Sequence, residues 1–596
     1  MGVLFVFNTQ LQKGNLSRVY ILESLGAALS GGIVHFILVP AMSNWSAAAV
    51  IGLTCAGIFF ISTKRFPAAF SAVLVVLSLL FVFDLPSQKW EWKPFSLIHA
   101  KDSVYGKLQM LQTGEQLHVY SNHRLLLTIP DFSSSEEAVH YALLQNPLAK
   151  RVLLIGGTLE GGLEETLKYP LVRVDAVELD PEILRLIRRF SELPELDESR
   201  YRLHLQDGRV FLKRAVSESY DMIILNLPEP STARINRFYT LEFFRLCRER
   251  LNTGGIIAFR VESAENYISS AQQRFLNSMY ATLKRAFPHV EFVPGTTNIF
   301  LGSRAPMELN PEALAERLRA SGIRTRYVRP EMFYSRLAPL RRQNLQSLLG
   351  ENSGESASIN RDLRPVSYLF HSALWSSRFH NLESRIYRGL HKISRFWLID
   401  LPLIFFVLIL LVFLVAKQRS ALTLVPLTVL GLTTITVEIT VVLLFQINSG
   451  SLYHHISLLF TCFMAGLFLG SLEARRRGAR PVHLLAVQAG FIILLSLLRL
   501  ILPLSMPTVA YPLILAILGF LSGELFIISN RIYITTKKNY GAGYGMDLLG
   551  SFLGALAAAS VLIPLFGLPI LVDVLLLLNS AVLIFLLIGY RLQAAD

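Results

Sequence analysis

The sequence predicts a multi-pass α-helical membrane protein with an inserted doubly wound α/β domain, which a small β-hairpin region precedes. Three observations support this fold class: long apolar runs near both ends of the chain, a polar region at 88–395 between them, and alternating strand and helix patterns within that region. Of the 596 residues 52% are hydrophobic, and the mean hydropathy is +0.45. This is too apolar for an ordinary soluble protein, whereas the charged middle excludes a membrane bundle alone.

Apolar runs long enough to cross a bilayer predict about ten spans, three before the polar region and seven after it. They lie at 18–40, 46–63, 66–84, 397–416, 421–446, 453–472, 482–502, 508–529, 545–563 and 567–590. The first run is too long for a cleavable signal, and no small-residue cleavage site follows it.

These runs divide the chain into five predicted parts. They are an N-terminal membrane segment of about three spans (1–87), a β-hairpin region with a lead-in helix (88–150), the α/β domain (151–380), a linker (381–396) and a C-terminal membrane domain of about seven spans (397–596).

Two membrane stretches resemble each other. "YILESLGAALSGG" at 20–32 and "YGMDLLGSFLGAL" at 544–556 share one offset, which also aligns Glu23 with Asp547. A shared offset favours duplicated membrane units. Chance similarity between two helices rich in small residues is the alternative.

Basic residues in the short loops predict the topology. They cluster on one side of the predicted spans, at Lys13, Arg18, Lys64, Arg65, Lys417, Arg419, Arg475, Arg476, Arg477, Arg531, Lys537, Lys538 and Arg591. The positive-inside rule places this side in the cytoplasm, and therefore 88–395 outside, in a multi-pass cell membrane such as the bacterial inner membrane. The net charge of +14 then reflects topology, so we expect membrane lipid and no nucleic acid as a partner.

The polar region contains two kinds of β-structure. Residues 94–130 alternate and turn at Thr113-Gly114, which predicts short hairpins. From 151 onward, strand patterns alternate with helices at Pro181–Phe190 and "TLEFFRLCRERL". The predicted strands are "RVLLIGG", "LVRVDAVELD", "YRLHLQDGR", "YDMIILNLPEP" and "GGIIAFRV". This alternation predicts a Rossmann-like, methyltransferase-type sheet, whose ligands bind at the carboxyl ends of its strands.

Three strand ends carry candidate ligand-binding residues. Glycines after the first strand allow the backbone to approach a ligand. Glu178 ends the second strand about twenty residues on, where an acidic residue accepts ribose hydroxyl hydrogen bonds. A carboxylate after the third strand commonly meets an adenine amino group. The candidates are Gly156, Gly157, Gly161, Glu178, Asp207 and Gly208. The alternative is that the two carboxylates only cap helices.

Several stretches make 94–380 resemble the spermidine synthase (polyamine aminopropyltransferase) family, and the whole chain its membrane-fused MFS/spermidine synthase form. They are "VLLIGGTLEGGLEETLKYP", "VDAVELDPEI", "LHLQDGRVFL", "YDMIILNLPEP", "NRFYTLEFF" and "INRDLRP". The resemblance implies decarboxylated S-adenosylmethionine or a related adenosyl thioether as cosubstrate, a polyamine or other cationic small molecule as partner, and aminopropyl transfer as the reaction.

The resemblance also implies site residues, and two of them depart from the family. Leu159 stands where an acidic residue holds the aminopropyl end of the donor, and Asn226 stands where an Asp acts as general base. An amide is no base, and a leucine cannot pair with an ammonium group. Glu160 and Glu229 are the acidic candidates to compensate, and His140 matches a family histidine on the preceding helix. Catalytic competence is therefore in doubt, although the adenosine half of the site matches.

Other features leave further alternatives open. The three cysteines offer no disulfide framework or zinc spacing, so no metal is expected. The acids Glu23, Glu438, Glu524 and Asp547 fall within predicted spans. They would either form a path for a cation or clamp helices through Arg499, tyrosines and backbone groups. The second function is accordingly a polyamine transporter or sensor whose α/β domain binds without turnover. A methyltransferase is the third and weaker one, because the hairpin region and "NRFYT" do not suit it.

Overall fold

The computed structural model describes residues 2–12, 15–38, 41–63, 67–191, 195–265, 267–349, 358–377, 394–450, 453–504, 506–537 and 539–595. They form two compact units, Met1–Ile33 with Arg361–Asp596, and Val34–Asn360. The predicted domain limits stay predictions, and most of the predicted linker 381–396 lies outside the described residues.

The first unit is helical. Its helices are Gly2–Leu11, Leu16–Ile33, Val366–Ser377, Phe396–Asp400, Leu401–Val415, Ala421–Ser449, Tyr453–Arg477, Pro481–Ile501, Ala510–Lys537, Ala542–Ala557, Ala558–Leu562, Ile563–Phe566 and Leu568–Ala595. Within the described residues of the whole chain, eight helices are long and apolar enough to span a membrane. They are Leu16–Leu38, Phe396–Val415, Ala421–Ser449, His455–Arg477, Pro481–Ile501, Ala510–Thr535, Ala542–Phe566 and Leu568–Leu592, and the last seven match the seven predicted spans after the polar region.

Two of the three spans predicted before the polar region are not reproduced as full spans. The helix Asn44–Thr63 has 20 residues, but its apolar part, Trp45–Ile61, is about 25 Å long at 1.5 Å per residue, less than the roughly 30 Å of a bilayer core. The next helix, Pro67–Glu91, is bent by 59° between Val73–Leu79 and Phe83–Glu91. The count by length and composition is therefore eight, or nine if the bent pair is one span, among the described residues instead of about ten.

Glycines set the closest helix packing in the first unit. A side chain at Gly466 or Gly470 would overlap the backbone of helix Ala510–Lys537, and one at Gly550 or Gly554 would overlap helix Ala421–Ser449. Small residues allow such close approach between membrane helices. These four glycines therefore lie on helix faces that pack closely against a neighbouring helix.

The second unit contains a four-stranded antiparallel sheet in the order β1-β2-β3-β4. Its strands are β1 Ser96–Ser103, β2 Gly106–Thr113, β3 Gln116–Ser121 and β4 Arg124–Ile129. Gly114 lies in the β2–β3 turn with a φ of +59°, so the predicted hairpin turn is confirmed. The apolar face of this sheet packs against Leu159 and against the helix Pro181–Phe190.

The larger sheet has seven strands in the order β10-β11-β9-β8-β5-β6-β7. They are β5 Arg151–Ile155, β6 Arg173–Glu178, β7 Tyr201–Leu205, β8 Tyr220–Leu225, β9 Leu251–Glu262, β10 His289–Val293 and β11 Thr297–Ser303. The five strands β5 to β9 are parallel, and β10 and β11 form an antiparallel edge. The predicted strands and the Rossmann-like sheet are therefore confirmed, and the order reverses between β5 and β8, where such sheets bind ligands.

Helices complete this unit. They are Val34–Leu38, Asn44–Thr63, Pro67–Glu91, Phe132–Leu143, Thr158–Gly162, Leu163–Leu167, Pro181–Phe190, Gly208–Arg214, Ala233–Asn236, Leu241–Arg250, Ser270–Ala286, Pro311–Ser321, Pro330–Arg336 and Pro339–Leu348. The two helices predicted at Pro181–Phe190 and "TLEFFRLCRERL" are confirmed. Strand β5 lies at the centre of the core, and Val152, Leu153 and Leu154 are fully buried.

Candidate active site

An open cavity of about 960 Å³ lies at the carboxyl ends of β5, β6, β7 and β8. This position, at the carboxyl ends of the parallel strands, is where doubly wound sheets bind their ligands. The cavity is lined by Tyr105, Ser121, Leu126, Leu127, Ile155, Gly156, Gly157, Leu159, Glu160, Val177, Glu178, Leu179, Asp180, Ile183, Gln206, Asp207, Gly208, Asn226, Leu227, Pro228, Arg234, Ile235, Arg237 and Phe238. Of the predicted ligand-binding residues, only Gly161 is not part of this wall.

The two residues after β5 must be glycines, because Asn226 approaches their backbone closely. Gly156 and Gly157 have φ values of +74° and +71°, in the left-handed region that favours glycine. A Cβ atom at Gly156 would meet the Asn226 carbonyl oxygen, and one at Gly157 would overlap the Asn226 side chain. The loop and the end of β8 therefore approach each other at backbone distance, which places Asn226 against the glycine loop.

Glu178 lies where a nucleoside-binding carboxylate is expected. It ends β6, lines the cavity, and its Oε1 accepts a hydrogen bond from the Thr158 backbone N–H at 2.9 Å. Burial raises the pKa of Glu178, and the hydrogen bond from Thr158 opposes that rise. Glu178 is the N-cap residue of no described helix, but it accepts the first N–H of helix Thr158–Gly162, so both its nucleoside-binding role and the helix-capping alternative stay predictions.

Asp207 does cap a helix. Its Oδ1 accepts hydrogen bonds from the N–H groups of Arg209 at 3.1 Å and Val210 at 3.0 Å, at the start of helix Gly208–Arg214. Its Oδ2 forms a buried ion pair with Arg237. The carboxylate also lines the cavity, so a ligand amino group would have to share it with these partners.

The reactive half of the site contains a chain of three polar side chains. Arg260 Nη2 donates a hydrogen bond to Asn226 Oδ1 at 2.8 Å, and Asn226 Nδ2 donates to Glu160 Oε2 at 3.4 Å. Burial raises the pKa of Glu160 to about 8; Arg260 opposes this rise, and Glu178 and Asp131 add to it. A carboxyl group with this pKa is largely protonated at neutral pH. The Asn226 amide oxygen is already engaged by a cation, so it accepts no proton from a substrate amine.

Leu159 belongs to both the cavity wall and an apolar cluster. Its side chain is 8% exposed and packs with residues of the small sheet such as Leu108 and Met110. An apolar side chain therefore occupies the place where the family resemblance calls for a carboxylate.

Two residues predicted to be catalytic lie elsewhere. His140 is fully buried and contacts Tyr169 Oη and Glu165 Oε2, each at 3.0 Å, on a helix that is buried along most of its length. It does not line the cavity, and its catalytic role stays a prediction. Glu229 also lies outside the cavity wall, and its Oε1 accepts the backbone N–H of Glu262 at 2.6 Å.

Sequence reasoning missed the arginines of the site. Arg237 holds Asp207, and Arg260 holds Asn226. The signal for Arg260 was present in the sequence, because it is a charged residue within the otherwise apolar strand "GGIIAFRV". Its role depends on β9 lying next to β8, which the sequence pattern does not specify.

The helical unit pairs two of the charged residues predicted to lie within spans. Arg499 Nε contacts Asp573 Oδ1 at 2.8 Å, a partner that the sequence analysis did not single out. Glu524 is 4% exposed and lies 3.8 Å from Arg477 Nη1. Both contacts agree with a helix-clamping role.

The other three acids differ from one another in exposure. Glu438 is 7% exposed within the long helix Ala421–Ser449, whereas Asp547 is half-buried and Glu23 is exposed.

In the described part of the chain, no group of three or more His, Cys, Asp or Glu side chains is placed to hold a metal ion.

The second unit thus belongs to the class of doubly wound α/β proteins of the methyltransferase type, with a cavity at the switch point of the sheet. Residues 131–303 match the family model "Spermine/spermidine synthase domain". The polyamine aminopropyltransferase of Korarchaeum cryptofilum is 31% identical over 229 residues, which is 36% of this chain and 70% of that protein. The corresponding protein of Pyrobaculum calidifontis is 30% identical over 206 residues, 32% of this chain and 70% of that protein. This chain belongs to the polyamine aminopropyltransferase (spermidine synthase) family.

A solved structure, the spermidine synthase of Thermotoga maritima, matches with a TM-score of 0.36 and 19% identity over 43% of this chain and 90% of that chain.

Proposed function

We propose that this protein is a membrane-bound spermidine synthase-like protein whose α/β unit binds an adenosyl thioether in the cavity. The family reaction is aminopropyl transfer from decarboxylated S-adenosylmethionine to a polyamine or related amine. In this chain that reaction is limited by Leu159 and Asn226, which replace two acidic residues. The observation that carries the proposal is a cavity wall in which Glu178 and the glycine loop are in place, while the Asn226 amide is held by Arg260.

The proposed donor site uses Glu178 for the ribose hydroxyl groups and the backbone at Gly156 and Gly157 for close approach. Asp207 would meet the adenine end, because it lines the cavity at the end of β7. The family's donor, decarboxylated S-adenosylmethionine, would then direct its reacting carbon toward Leu159 and Asn226.

The chemistry of aminopropyl transfer shows that the site lacks an efficient general base. The acceptor nitrogen attacks the carbon next to the sulfonium sulfur, the carbon–sulfur bond breaks, and methylthioadenosine leaves with the electron pair. The new ammonium group must then lose a proton to a base. Glu160 is the carboxyl group hydrogen-bonded to Asn226, and its pKa of about 8 leaves only a small deprotonated fraction to act as the base at neutral pH.

A second candidate function is a polyamine sensor or transporter in which the α/β unit binds without turnover. The hydrogen bond from Arg260 to Asn226 favours it, because the residue at the general-base position is occupied. The buried Glu438 on a membrane-type helix is its candidate site for a cation.

We further propose a multi-pass cell membrane location, with the bacterial inner membrane as the specific site and the α/β unit on the extracytoplasmic side. The basic short loops support this orientation.

Calorimetry tests the adenosyl site on the full-length protein in detergent micelles, with methylthioadenosine as the ligand. Glu178→Ala removes a charged hydrogen-bond acceptor, and the expected loss is roughly 1.5–3 kcal/mol, or about ten- to a hundredfold in affinity. Glu198→Ala is the matched control, since Glu198 is exposed and lies outside the cavity wall. No binding to the wild type, or equal binding to Glu178→Ala, would exclude this site.

A further inference from the structure

Arg260 places a cation beside the reactive half of the cavity. It lies near the carboxyl end of β9 and is half-buried, and its Nη2 donates to Asn226 Oδ1 at 2.8 Å. Asn226 lines the cavity at the position that corresponds to the family's general base. The guanidinium group is therefore one side chain away from the place where an attacking amine would lie.

The carboxyl groups of Glu160, Glu137 and Asp131 attract this charge, but each has a closer hydrogen-bonding partner of its own. Glu137 is paired with Arg336, and Asp131 accepts the backbone N–H of Ser134 at 3.0 Å as a helix cap. Among the described residues, Arg260 forms no ion pair with a carboxylate, and its buried Nε has no hydrogen-bond partner. Guanidinium remains protonated in proteins, so Arg260 keeps its charge and has an unused donor.

Glu160 and Leu159 do not reverse the sign of the charge at this end of the cavity. Burial raises the pKa of Glu160 to about 8, so its carboxyl group is mostly neutral at pH 7. Leu159 contributes an apolar side chain to the same wall. Arg260 lies behind Asn226 and is not itself part of the cavity wall, so it acts on a ligand through its charge, which disfavours a ligand ammonium group and attracts a ligand carboxylate.

We propose that this site selects a ligand that carries a carboxylate at its reacting end, with Arg260 as the specificity-determining residue. The inference rests on the proposed adenosyl site. Two sources supply the same chemistry: S-adenosylmethionine keeps a carboxylate that its decarboxylated form lacks, and ornithine keeps one that putrescine lacks. Each pair of compounds differs by this group alone.

The test is calorimetry on the full-length protein in detergent micelles. Methylthioadenosine, which has neither carboxylate nor amino-acid tail, reports on the adenosine half. S-adenosylmethionine is compared with its decarboxylated form, and ornithine with putrescine on protein saturated with methylthioadenosine. The carboxylate-bearing member of at least one pair should bind about ten- to a hundredfold more tightly, because the charge of Arg260 attracts it in a partly buried site.

Variants at Arg260 then show whether this residue causes the preference for a carboxylate-bearing ligand. Arg260→Gln should abolish it while methylthioadenosine still binds, and Arg260→Lys should retain part of it. If Arg260→Gln does not fold, a reduced preference in Arg260→Lys supports the assignment, and an unchanged one overturns it.

The remaining outcomes separate this inference from the proposed function. Methylthioadenosine binding with no carboxylate preference in either pair overturns the role of Arg260 and leaves the adenosyl site in place. A preference that survives in Arg260→Gln also overturns it. No methylthioadenosine binding overturns both. The pair that shows the preference identifies the donor or the acceptor as the carboxylate source.

Discussion

Restoring the carboxylate at position 226 tests how far the reactive half of the site limits catalysis. General-base catalysis contributes roughly 10²–10⁴-fold to a rate. Asn226→Asp alone should gain less than this, because Arg260 Nη2 lies 2.8 Å from Asn226 Oδ1 and would pair with the new carboxylate. An opposite charge at such a distance lowers a carboxyl pKa by about 1–3 units, which weakens the base.

We therefore expect Asn226→Asp to raise turnover of decarboxylated S-adenosylmethionine and putrescine by about 10²-fold, and Asn226→Asp with Arg260→Gln to approach 10⁴-fold. The assay is mass spectrometry of the spermidine and methylthioadenosine formed by the full-length protein. Asn344→Asp is the matched control, since Asn344 is exposed and outside the cavity wall.

Position 159 is the second place where the family has an acidic residue, and restoring a carboxylate there should have a different effect. Leu159 is 8% exposed within an apolar cluster, so Leu159→Asp would bury a carboxylate among apolar side chains. We expect this change to lower stability and to offset what it adds to donor binding. Wild-type turnover comparable to that of a soluble spermidine synthase would refute the reasoning, since Glu160 or Glu229 would then supply the base.

Two further measurements test topology and charge. An alkaline phosphatase reporter fused near Ser353, which lies outside the described residues, should be active; a silent phosphatase with an active cytoplasmic fluorescent reporter would reverse the orientation. Glu160 has a pKa raised from 4.5 to about 8, so the stability that its neutral form contributes is complete below pH 4.5 and is lost as pH rises through 8. Glu160→Gln should therefore unfold at a higher temperature than the wild type above pH 8 and at the same temperature below pH 4.5. An equal difference at both pH values would contradict the raised pKa.

Strand and helix patterns alone determined much of the α/β unit. The strands from Arg151 to Glu262, the helix Pro181–Phe190 and the turn at Gly114 follow from periodicity and turn chemistry, which are local properties of the sequence. The seven apolar helices after the polar region follow from length and hydropathy in the same way. The bend in Pro67–Glu91 depends on geometry that a count of apolar residues does not include.

Only the tertiary structure decided which side chains share the site. Sequence spacing placed Glu178, Asp207 and Asn226 at strand ends, and these ends meet because parallel strands of one sheet finish at one edge. It did not place Arg260 against Asn226 or Arg237 against Asp207, because those contacts join segments of chain whose adjacency is set by strand order and packing. His140 matched a family position, yet the packing of its helix turns it into the core. Local patterns fix elements and their ends, whereas the charge of a site depends on which distant side chains the fold brings into contact.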